Sequence, residues 1–497
     1  MTSKILERVV VAVVLAGMTA SCSAPSVRGD ESADNPTDAL QKARVLDRLA
    51  QGTAVERKGS SPGFVLDPAW PQPLPHKWVI GDVGGIAVDK HDRIWVLHRP
   101  RSVSSTDSGM QGAAGKDAKG RPISALGHPR PYGQINGCCM PAPSVLVFDR
   151  AGKLLQSWGG PGDPGFLEKK CREADGCVWP AREHGIYVDH NDFVYVAGNG
   201  QARNFYGQYP WAPKFGNDSH ILKFKPDGTF VYQIGTAGAK GPNSNDTNGG
   251  ANGTPEPYWP ADMVVDPKTN LMYIADGYGN RRVLIVDAAT GKYVGHFGAY
   301  GQNPVVGENA GGADVGEGAG SWPGDFKAGN MKPRFFRSPV HCAKLANDGL
   351  LYVCDRGNNR IQIFKASEAG KPCTNPGGDA GTCGFVGEIH VAPQTVGGTS
   401  GTVEFSTDEK QSCMYVADLG NDVVYVINRQ NLTELSRLGG GGRQAGQFHW
   451  PHVLAVDSGG NVYVGEVDGA ARTQKFLRYG AVGCSGTGSA EVGKYLE

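Results

Sequence analysis

The sequence has no excess of charge of either sign. It contains 49 lysine and arginine residues against 49 aspartate and glutamate residues, and only 20% of its residues are charged. A chain without net positive charge lacks the electrostatic basis for binding polyanions, so we expect no nucleic-acid partner. None of the eleven cysteines forms a CxxC or CxxCH motif, which leaves a redox motif or an attached haem unsupported.

The apolar run from Val9 to Gly17 is too short to cross a membrane as a helix. Lys4 and Arg8 precede it and the small residues Thr19-Ala20-Ser21-Cys22 follow it, which is the pattern of an export signal over residues 1–22. Cleavage before Cys22 and lipidation of its thiol would tether the chain to a membrane, as in a bacterial lipoprotein, and simple cleavage nearby is the alternative. Both predict an exported protein, either in the bacterial periplasm or anchored on the outer side of the cytoplasmic membrane.

The other ten cysteines suit an oxidising compartment. Two pairs are spaced to close one loop each: Cys171 with Cys177, and Cys373 with Cys383. Cys342 and Cys354 flank the turn Asn347-Asp348-Gly349 symmetrically, so antiparallel pairing would place them opposite each other. Cys138 and Cys139 are adjacent, and we expect them to pair with other partners.

Glycine and proline are abundant, with 73 and 32 residues, as in a turn-rich all-β chain. Residues 23–65 are interpreted as a polar tether with a short helix from Thr37 to about Ala50. In residues 66–497, alternating apolar segments separated by turns such as Asp227-Gly228 predict antiparallel hairpins. Six units of four strands predict a six-bladed β-propeller, with the insertions 237–258 and 300–330 forming a rim over one face.

Three of the six units begin with a histidine placed directly before the first strand. These are the second, fourth and sixth units, and the histidines are His184, His341 and His452. Equivalent positions in a propeller form a ring around the central channel, so alternate blades of six are related by about 120°. Three neutral imidazoles with one open coordination position are the ligand set of a catalytic zinc site, which we predict here. The competing interpretation is that each histidine satisfies a loop carbonyl.

Two arginines are predicted to lie on the same ring. Trp95-Val-Leu-His98-Arg99 in the first unit aligns with Tyr352-Val-Cys-Asp355-Arg356 in the fourth, which places Arg99 and Arg356 on opposite blades. Two guanidinium groups facing a metal would hold an anionic substrate, most naturally a carboxylate. The alternative for Arg356 is an ion-pair network within its own blade.

A tyrosine is predicted to project over the channel. The turn Asp276-Gly277-Tyr278-Gly279-Asn280 is one residue longer than its counterpart after Asp355, and the extra residue should push Tyr278 outwards. Beside a dication and an arginine, this tyrosine could lose its proton near neutral pH and act as a base. Otherwise it is an exposed aromatic residue in a glycine-rich turn.

The units resemble those of NHL-repeat propellers. The signature Asp-x-x-Asn-x-Arg-Ile/Val is found from Asp355 to Ile361. It contains one extra residue from Asp276 to Val283, and it is degenerate from Asp418 to Val423. The resemblance implies the same six-bladed fold.

The chain also resembles the peptidyl-α-hydroxyglycine α-amidating lyases, the lyase domain of peptidylglycine α-amidating enzymes, over most of residues 84–478. The matching stretches are His98-Arg99, His184-Gly185-Ile186, Asp276-Gly277-Tyr278 with Arg282, His341, Asp355-Arg356 with Arg360-Ile361-Gln362, and Pro451-His452. The resemblance implies that the three histidines bind zinc, that Tyr278 is the base, and that Arg99 and Arg356 hold the substrate carboxylate. It implies cleavage of the C–N bond of an α-hydroxyglycine, which releases glyoxylate and leaves an amide.

Three positions depart from the pattern of that family. Trp450 replaces a methionine beside the third histidine, and Gly279 replaces a disulfide cysteine after the tyrosine. Val453 replaces an aspartate that helps to hold the family's calcium ion. The resemblance therefore supports zinc more strongly than calcium.

Two other classes of six-bladed propeller are alternatives. A calcium-dependent lactonase would use Glu, Asn and Asp around its metal, which the three histidines argue against. A non-catalytic NHL scaffold would bind proteins or envelope polymers at its rim and would need no metal. For the lyase, we expect a monomer that acts on a small carboxylate or peptide-like substrate.

Overall fold

The computed structural model describes residues 59–103, 115–116, 122–123, 140–160, 171–200, 217–239, 241–304, 335–371 and 384–493. The predicted export signal, Cys22 and the helix after Thr37 lie outside these residues. Within the described ranges, no helix is both long and apolar enough to cross a membrane.

Short strands make up most of the described chain. In chain order they are β1 (Gly59–Leu66), β2 (Trp78–Val79), β3 (Val83–Val88), β4 (Ile94–His98), β5 (Gly115–Lys116), β6 (Pro122–Ile123), β7 (Met140–Pro141), β8 (Val145–Phe148), β9 (Leu154–Trp158), β10 (Glu183–Val188), β11 (Val194–Gly198), β12 (His220–Phe224), β13 (Phe230–Gly235), β14 (Asp262–Val265), β15 (Leu271–Asp276), β16 (Arg282–Asp287), β17 (Tyr293–Phe297), β18 (Val340–Leu345), β19 (Leu350–Asp355), β20 (Arg360–Lys365), β21 (Phe385–His390), β22 (Ser400–Phe405), β23 (Cys413–Asp418), β24 (Val423–Asn428), β25 (Thr433–Gly439), β26 (Pro451–Val456), β27 (Val462–Glu466) and β28 (Thr473–Gly486). Single 3₁₀ turns span Pro75–Lys77, Pro100–Ser102, Glu173–Asp175, Ala251–Gly253, Ala299–Gly301 and Arg356–Asn358.

Of the 28 described strands, 24 form six four-stranded antiparallel sheets, which are the six predicted blades, while β2 pairs with β7 and β5 pairs with β6 in two small sheets. Blade 1 contains β3, β4, β8 and β9, and blades 2 to 5 contain β10–β13, β14–β17, β18–β21 and β22–β25. Blade 6 contains β26, β27, β28 and β1. The predicted all-β, six-bladed propeller is therefore confirmed, and the histidines fall in blades 2, 4 and 6.

The sixth blade takes its outermost strand from the N-terminal side of the propeller. β1 pairs antiparallel with β28, from Gly59 opposite Gly486 to Leu66 opposite Phe476. The sheet thus begins at Gly59, within the segment that the sequence analysis assigned to the tether. Local alternation could not reveal this boundary, because the partner strand lies at the other end of the chain.

Aspartates at the ends of innermost strands build the turns that follow. The carboxylate of Asp89 accepts hydrogen bonds from the backbone N–H groups of His91 and Arg93, at 2.9 and 3.0 Å. Asp189 does the same for Asn191 and Phe193, at 2.8 and 2.9 Å. These Asx-type turns fix the hairpin after the innermost strand and hence its register.

The residues of the NHL signature form a buried ion pair within the blade. In blade 4 the Asp355 carboxylate lies 2.7 Å from Arg360 Nε, and in blade 3 Asp276 lies 2.8 Å from Arg282 Nε; all four side chains are fully buried. In blade 5, where the signature is degenerate, Tyr425 donates its hydroxyl to Asp418 instead. Each pair ties the second strand of the blade to the third.

Two of the predicted disulfides are confirmed. Cys171 is bonded to Cys177, and Cys342 is bonded to Cys354. A further bond, Cys413–Cys484, joins β23 of blade 5 to β28 of blade 6 and was not predicted. The proposed pair Cys373–Cys383 and the adjacent Cys138 and Cys139 lie outside the described residues. The disulfides are consistent with an exported protein.

Candidate metal centre

A β-bulge aims the three histidines at the axis of the propeller. The register between the first and second strands of a blade shifts between Glu183 and Ile186 in blade 2, between Val340 and Cys342 in blade 4, and between Pro451 and Val453 in blade 6. His184, His341 and His452 lie at these shifts. Since the extra residue of a bulge leaves the ladder and is re-aimed, the bulge turns each imidazole into the channel.

The three histidines, here called the histidine cluster (His184, His341 and His452), meet as predicted. Their ring centroids are 4.7 to 5.0 Å apart in pairs. One ring nitrogen of each lies within 4.8 Å of the other two, and the side chains are all buried. This cluster could hold a metal ion.

Backbone carbonyls of the following blades set the tautomer of two members. His184 Nδ1–H donates to the carbonyl of Ala261 at 2.8 Å, and His341 Nδ1–H donates to that of Gly401 at 2.6 Å. These acceptors assign the ring proton to Nδ1, so the Nε2 lone pairs face the axis. Metal-binding histidines usually donate their other ring N–H to such a carbonyl, which fixes the orientation of the ring. The loop-carbonyl interpretation is thus also correct for these two histidines, and it is compatible with metal binding.

Burial favours the uncharged form of His184 and His452. It lowers the pKa of His184 well below its ordinary value, and the charges of His341 and Arg99 lower it further. Burial also lowers the pKa of His452 well below its ordinary value, and the interactions with His184, His341, Arg99 and Arg356 lower it further. Neutral imidazoles are the form that coordinates metals.

The Tyr278 side chain reaches the histidine cluster. Its hydroxyl lies 3.0 Å from Nε2 of His184 and 3.0 Å from Nε2 of His341. Because both Nε2 atoms are acceptors, the hydroxyl proton can bond only one of them at a time. The alternative of an exposed aromatic is excluded, because Tyr278 is only 3% exposed.

The turn that carries Tyr278 fits closely against blade 4. A Cβ on Gly277 would lie 2.1 Å from the backbone oxygen of Val340, so only glycine fits there. The carboxylate of Asp276 stabilises the turn on its other side. It accepts hydrogen bonds from Asn280 Nδ2 and from the backbone N–H of Tyr258, each at 2.8 Å. The turn is therefore fixed from both sides.

The two predicted arginines follow the second strands of opposite blades. The registers Val83 opposite His98 and Val340 opposite Asp355 are equivalent, as the alignment required. Arg99 Nε donates to the carbonyl of Glu183 at 2.7 Å, directly before His184. Arg356 lies over the Trp450 ring at 5.7 Å, and the ion pair of its blade is made by Arg360. Both guanidinium groups are buried and contribute to the lowered pKa of His452.

His98, which precedes Arg99, has a structural role. Its Nδ1 accepts from the backbone N–H of Gly81 at 3.1 Å, and its Nε2–H donates to the carbonyl of Pro143 at 2.9 Å. Burial lowers its pKa to about 4. It therefore joins two connecting segments as a neutral side chain.

A charged group in the channel was missed by the sequence analysis. The ammonium of Lys344 lies 3.4 Å from the Asp262 carboxylate and 3.2 Å from the Glu404 carboxylate. Asp262 and Lys344 line a cavity of about 10 Å³ that they share with His184 and His341. The cavity can hold about one water molecule. The sequence signal for this group is that Asp262, Lys344 and Glu404 are charged residues within the innermost strands β14, β18 and β22.

Comparison with known families agrees with the repeat identified in blade 4. A family model described as NHL repeat matches residues 340–364, which cover β18, β19 and most of β20. Among solved structures, the chain is similar to one titled "Streptogramin B lyase structure", with a TM-score of 0.39 and 11% identity over 86% of this chain and 100% of that chain. The chain is a six-bladed β-propeller that carries an NHL repeat. The distant likeness says nothing about its reaction.

Proposed function

We propose that the chain is an exported zinc-dependent lyase that cleaves the C–N bond of an α-hydroxyglycine, as the amidating lyases do. The observation that carries the proposal is the histidine cluster: three buried imidazoles from alternate blades within 4.8 Å, two of them with Nε2 facing the axis. Imidazole suits zinc among the available metals, and a three-histidine set leaves a position open for substrate. The donor set does not favour a calcium-dependent lactonase.

The groups around the cluster suit a small anionic substrate. Arg99 and Arg356 approach from opposite blades, and the charge of each contributes to the lowered pKa of His452. A carboxylate held between two guanidinium groups would be fixed in orientation as well as bound. This arrangement favours a catalytic site over a scaffold, since a scaffold has no need of buried cations beside three buried histidines.

Tyr278 is the group placed to move a proton. When bound, zinc would supply Lewis-acid stabilisation of negative charge on the substrate hydroxyl oxygen. Tyr278, as the phenolate, takes the proton of that hydroxyl. The C–N bond then breaks, its electron pair goes to the nitrogen, and the carbon becomes the aldehyde of glyoxylate. The tyrosine proton passes to the nitrogen, so that the products are an amide and glyoxylate.

The first test separates metal binding from chemistry. We expect elemental analysis of the purified, oxidised protein to give one zinc per chain, and His184→Ala to lose it while the β-sheet circular dichroism spectrum is kept. Tyr278→Phe is the matched control, because it removes a hydroxyl at the same centre and should retain zinc. Glyoxylate release from N-benzoyl-α-hydroxyglycine should be present in the wild type and absent in both variants.

The outcomes point to different conclusions. Zinc retained by His184→Ala would contradict the metal site. Zinc bound by the wild type without glyoxylate release would reject the amidating reaction and leave a metalloenzyme of another kind. No zinc in the wild type would favour the scaffold.

A further inference from the structure

Blade 4 contributes two groups to the proposed site, from neighbouring strands. His341 lies in β18, and Arg356 directly follows the end of β19. The two strands pair antiparallel, with Val340 opposite Asp355. Any change in the pairing of β18 with β19 would therefore move a proposed zinc ligand and a proposed carboxylate-binding group relative to each other.

The pairing is interrupted where these two groups leave the sheet. The register shifts between Val340 and Cys342, so the residue pair at the end of the strands is separated from the regular ladder by the bulge at His341. A bulge leaves its extra residue unpaired and weakens the local ladder. The hydrogen bonds of the sheet alone thus give His341 and Arg356 limited support.

The Cys342–Cys354 disulfide lies at this interruption. Cys342 follows His341 in β18, and Cys354 lies two residues before Arg356 in β19. The cysteines are the first register partners after the bulge, with a Cα–Cα distance of 4.8 Å, and both are buried. The covalent bond therefore replaces the missing ladder support on both strands at once.

The other two blades of the histidine cluster have the bulge without the disulfide. The residues that follow their histidines are Gly185 and Val453. Each of these blades contributes a histidine to the proposed site, and neither contributes one of the two arginines. The cross-link thus occurs in the blade that has two groups to hold in register.

We infer that the Cys342–Cys354 disulfide is a positioning element of the metal centre, so that zinc affinity and carboxylate recognition depend on its oxidation. The inference rests on the proposed function. It makes the site fully competent only where disulfides form, which agrees with export. The cysteines do not touch substrate or metal in this scheme; they act through His341 and Arg356.

The experiment compares two disulfide deletions. Cys342→Ala/Cys354→Ala removes the cross-link beside the site, and Cys413→Ala/Cys484→Ala removes the one between blades 5 and 6. The control bond closes a loop of 71 residues against 12, so its loss should lower the melting temperature at least as much. Zinc affinity is measured by competition with a chromophoric chelator, and KM by glyoxylate release from N-benzoyl-α-hydroxyglycine.

We expect Cys342→Ala/Cys354→Ala to weaken zinc binding about 10- to 100-fold, the usual effect of losing outer-shell support, and to raise KM. The control pair should keep the affinity of the wild type despite its lower melting temperature. If the Cys342–Cys354 bond were merely structural, the loss of zinc affinity would follow the loss in melting temperature and would be larger in the control pair. Cys342→Val/Cys354→Ala, which refills the space of the sulfur atoms with apolar volume, should show the same loss of affinity.

Three results would overturn the inference. The first is wild-type zinc affinity in a folded Cys342→Ala/Cys354→Ala protein. The second is failure of both variants of this pair to keep the wild-type circular dichroism spectrum, because the bond would then support the whole fold. The third is a wild type that binds no zinc. This result would also refute the proposed function, and it differs from the other two because it is seen without any substitution.

Discussion

Replacement of Lys344 by methionine should destabilise the protein in a pH-dependent manner. The ammonium lies 3.4 Å from Asp262 and 3.2 Å from Glu404, and the three side chains are only 14, 14 and 23% exposed. Burial works to lower the pKa of Lys344, but the two carboxylates outweigh it and raise the pKa above its ordinary value. The lysine is therefore charged throughout the physiological range, and its charge compensates those of the two carboxyl groups only in part.

The magnitude follows from the charges that the substitution leaves behind. Removal of one partner from a buried ion pair costs about 3–5 kcal/mol, because the other charge stays buried without compensation. Lys344→Met leaves two buried carboxylates without a cation, on the innermost strands of the blades on either side of blade 4, so we expect a loss of at least about 3 kcal/mol in the free energy of unfolding at pH 8. Methionine fills a similar volume, so the loss reports on charge rather than on a cavity.

The sign of the pH dependence is fixed by the carboxylates. Burial raises the pKa of Asp262 and of Glu404 even in the wild type, and loss of the ammonium raises both further. In the unfolded chain the two groups titrate near pH 4. Below about pH 4 the two carboxyl groups are protonated in both the folded and the unfolded protein, so Lys344→Met carries no penalty there. The penalty grows as the pH rises above this value and through the raised pKa values of the folded state.

Urea denaturation of the wild type and Lys344→Met at pH 5 and pH 8 checks this prediction. The control is Asp262→Asn/Lys344→Met/Glu404→Gln, which removes all three charges and should recover most of the stability, since whole buried ion sets can be replaced at little cost. A loss below about 1 kcal/mol at pH 8, or a loss equal at both pH values, would refute the electrostatic account.

Two further predictions concern the site. Gly277→Ala should displace the turn of Tyr278 and abolish glyoxylate release, because the new Cβ would lie 2.1 Å from a backbone oxygen of β18. The control is Gly387→Ala, where the new Cβ meets nothing within 4 Å, and it should leave glyoxylate release unchanged. Arg99→Met and Arg356→Met should each raise KM for carboxylate substrates about 10- to 100-fold, the worth of a charge-assisted hydrogen bond, and leave zinc content unchanged; unaltered inhibition by glyoxylate would speak against that role.

The repeat made the geometry of the centre predictable. Because the blades are equivalent, a histidine before the first strand of alternate units had to recur around the axis, and the structure brings His184, His341 and His452 within 4.8 Å. The same equivalence placed Arg99 and Arg356 after matching strands. The place of a residue in the propeller could therefore be predicted from sequence wherever its repeat position was known.

Features that join different blades were not predictable in this way. Lys344 and Glu404 share a repeat position, opposite Tyr352 and Tyr415, but Asp262 lies two residues before the equivalent position of blade 3. β14, which begins at Asp262, also pairs without the bulge of the other innermost strands. The bond Cys413–Cys484 joins residues 71 apart in neighbouring blades, so no hairpin spacing announces it. Such contacts depend on how the blades pack, which a local pattern does not contain.

The pairing of β1 with β28 also has a consequence for biosynthesis. A protein exported from its N-terminus presents β1 on the far side of the membrane long before its partner arrives. His452 belongs to the blade that these two strands complete, so in the proposed exported protein the third proposed ligand is held in place only after β28 has crossed the membrane. For the proposed exported lyase, we therefore expect metal loading to follow translocation.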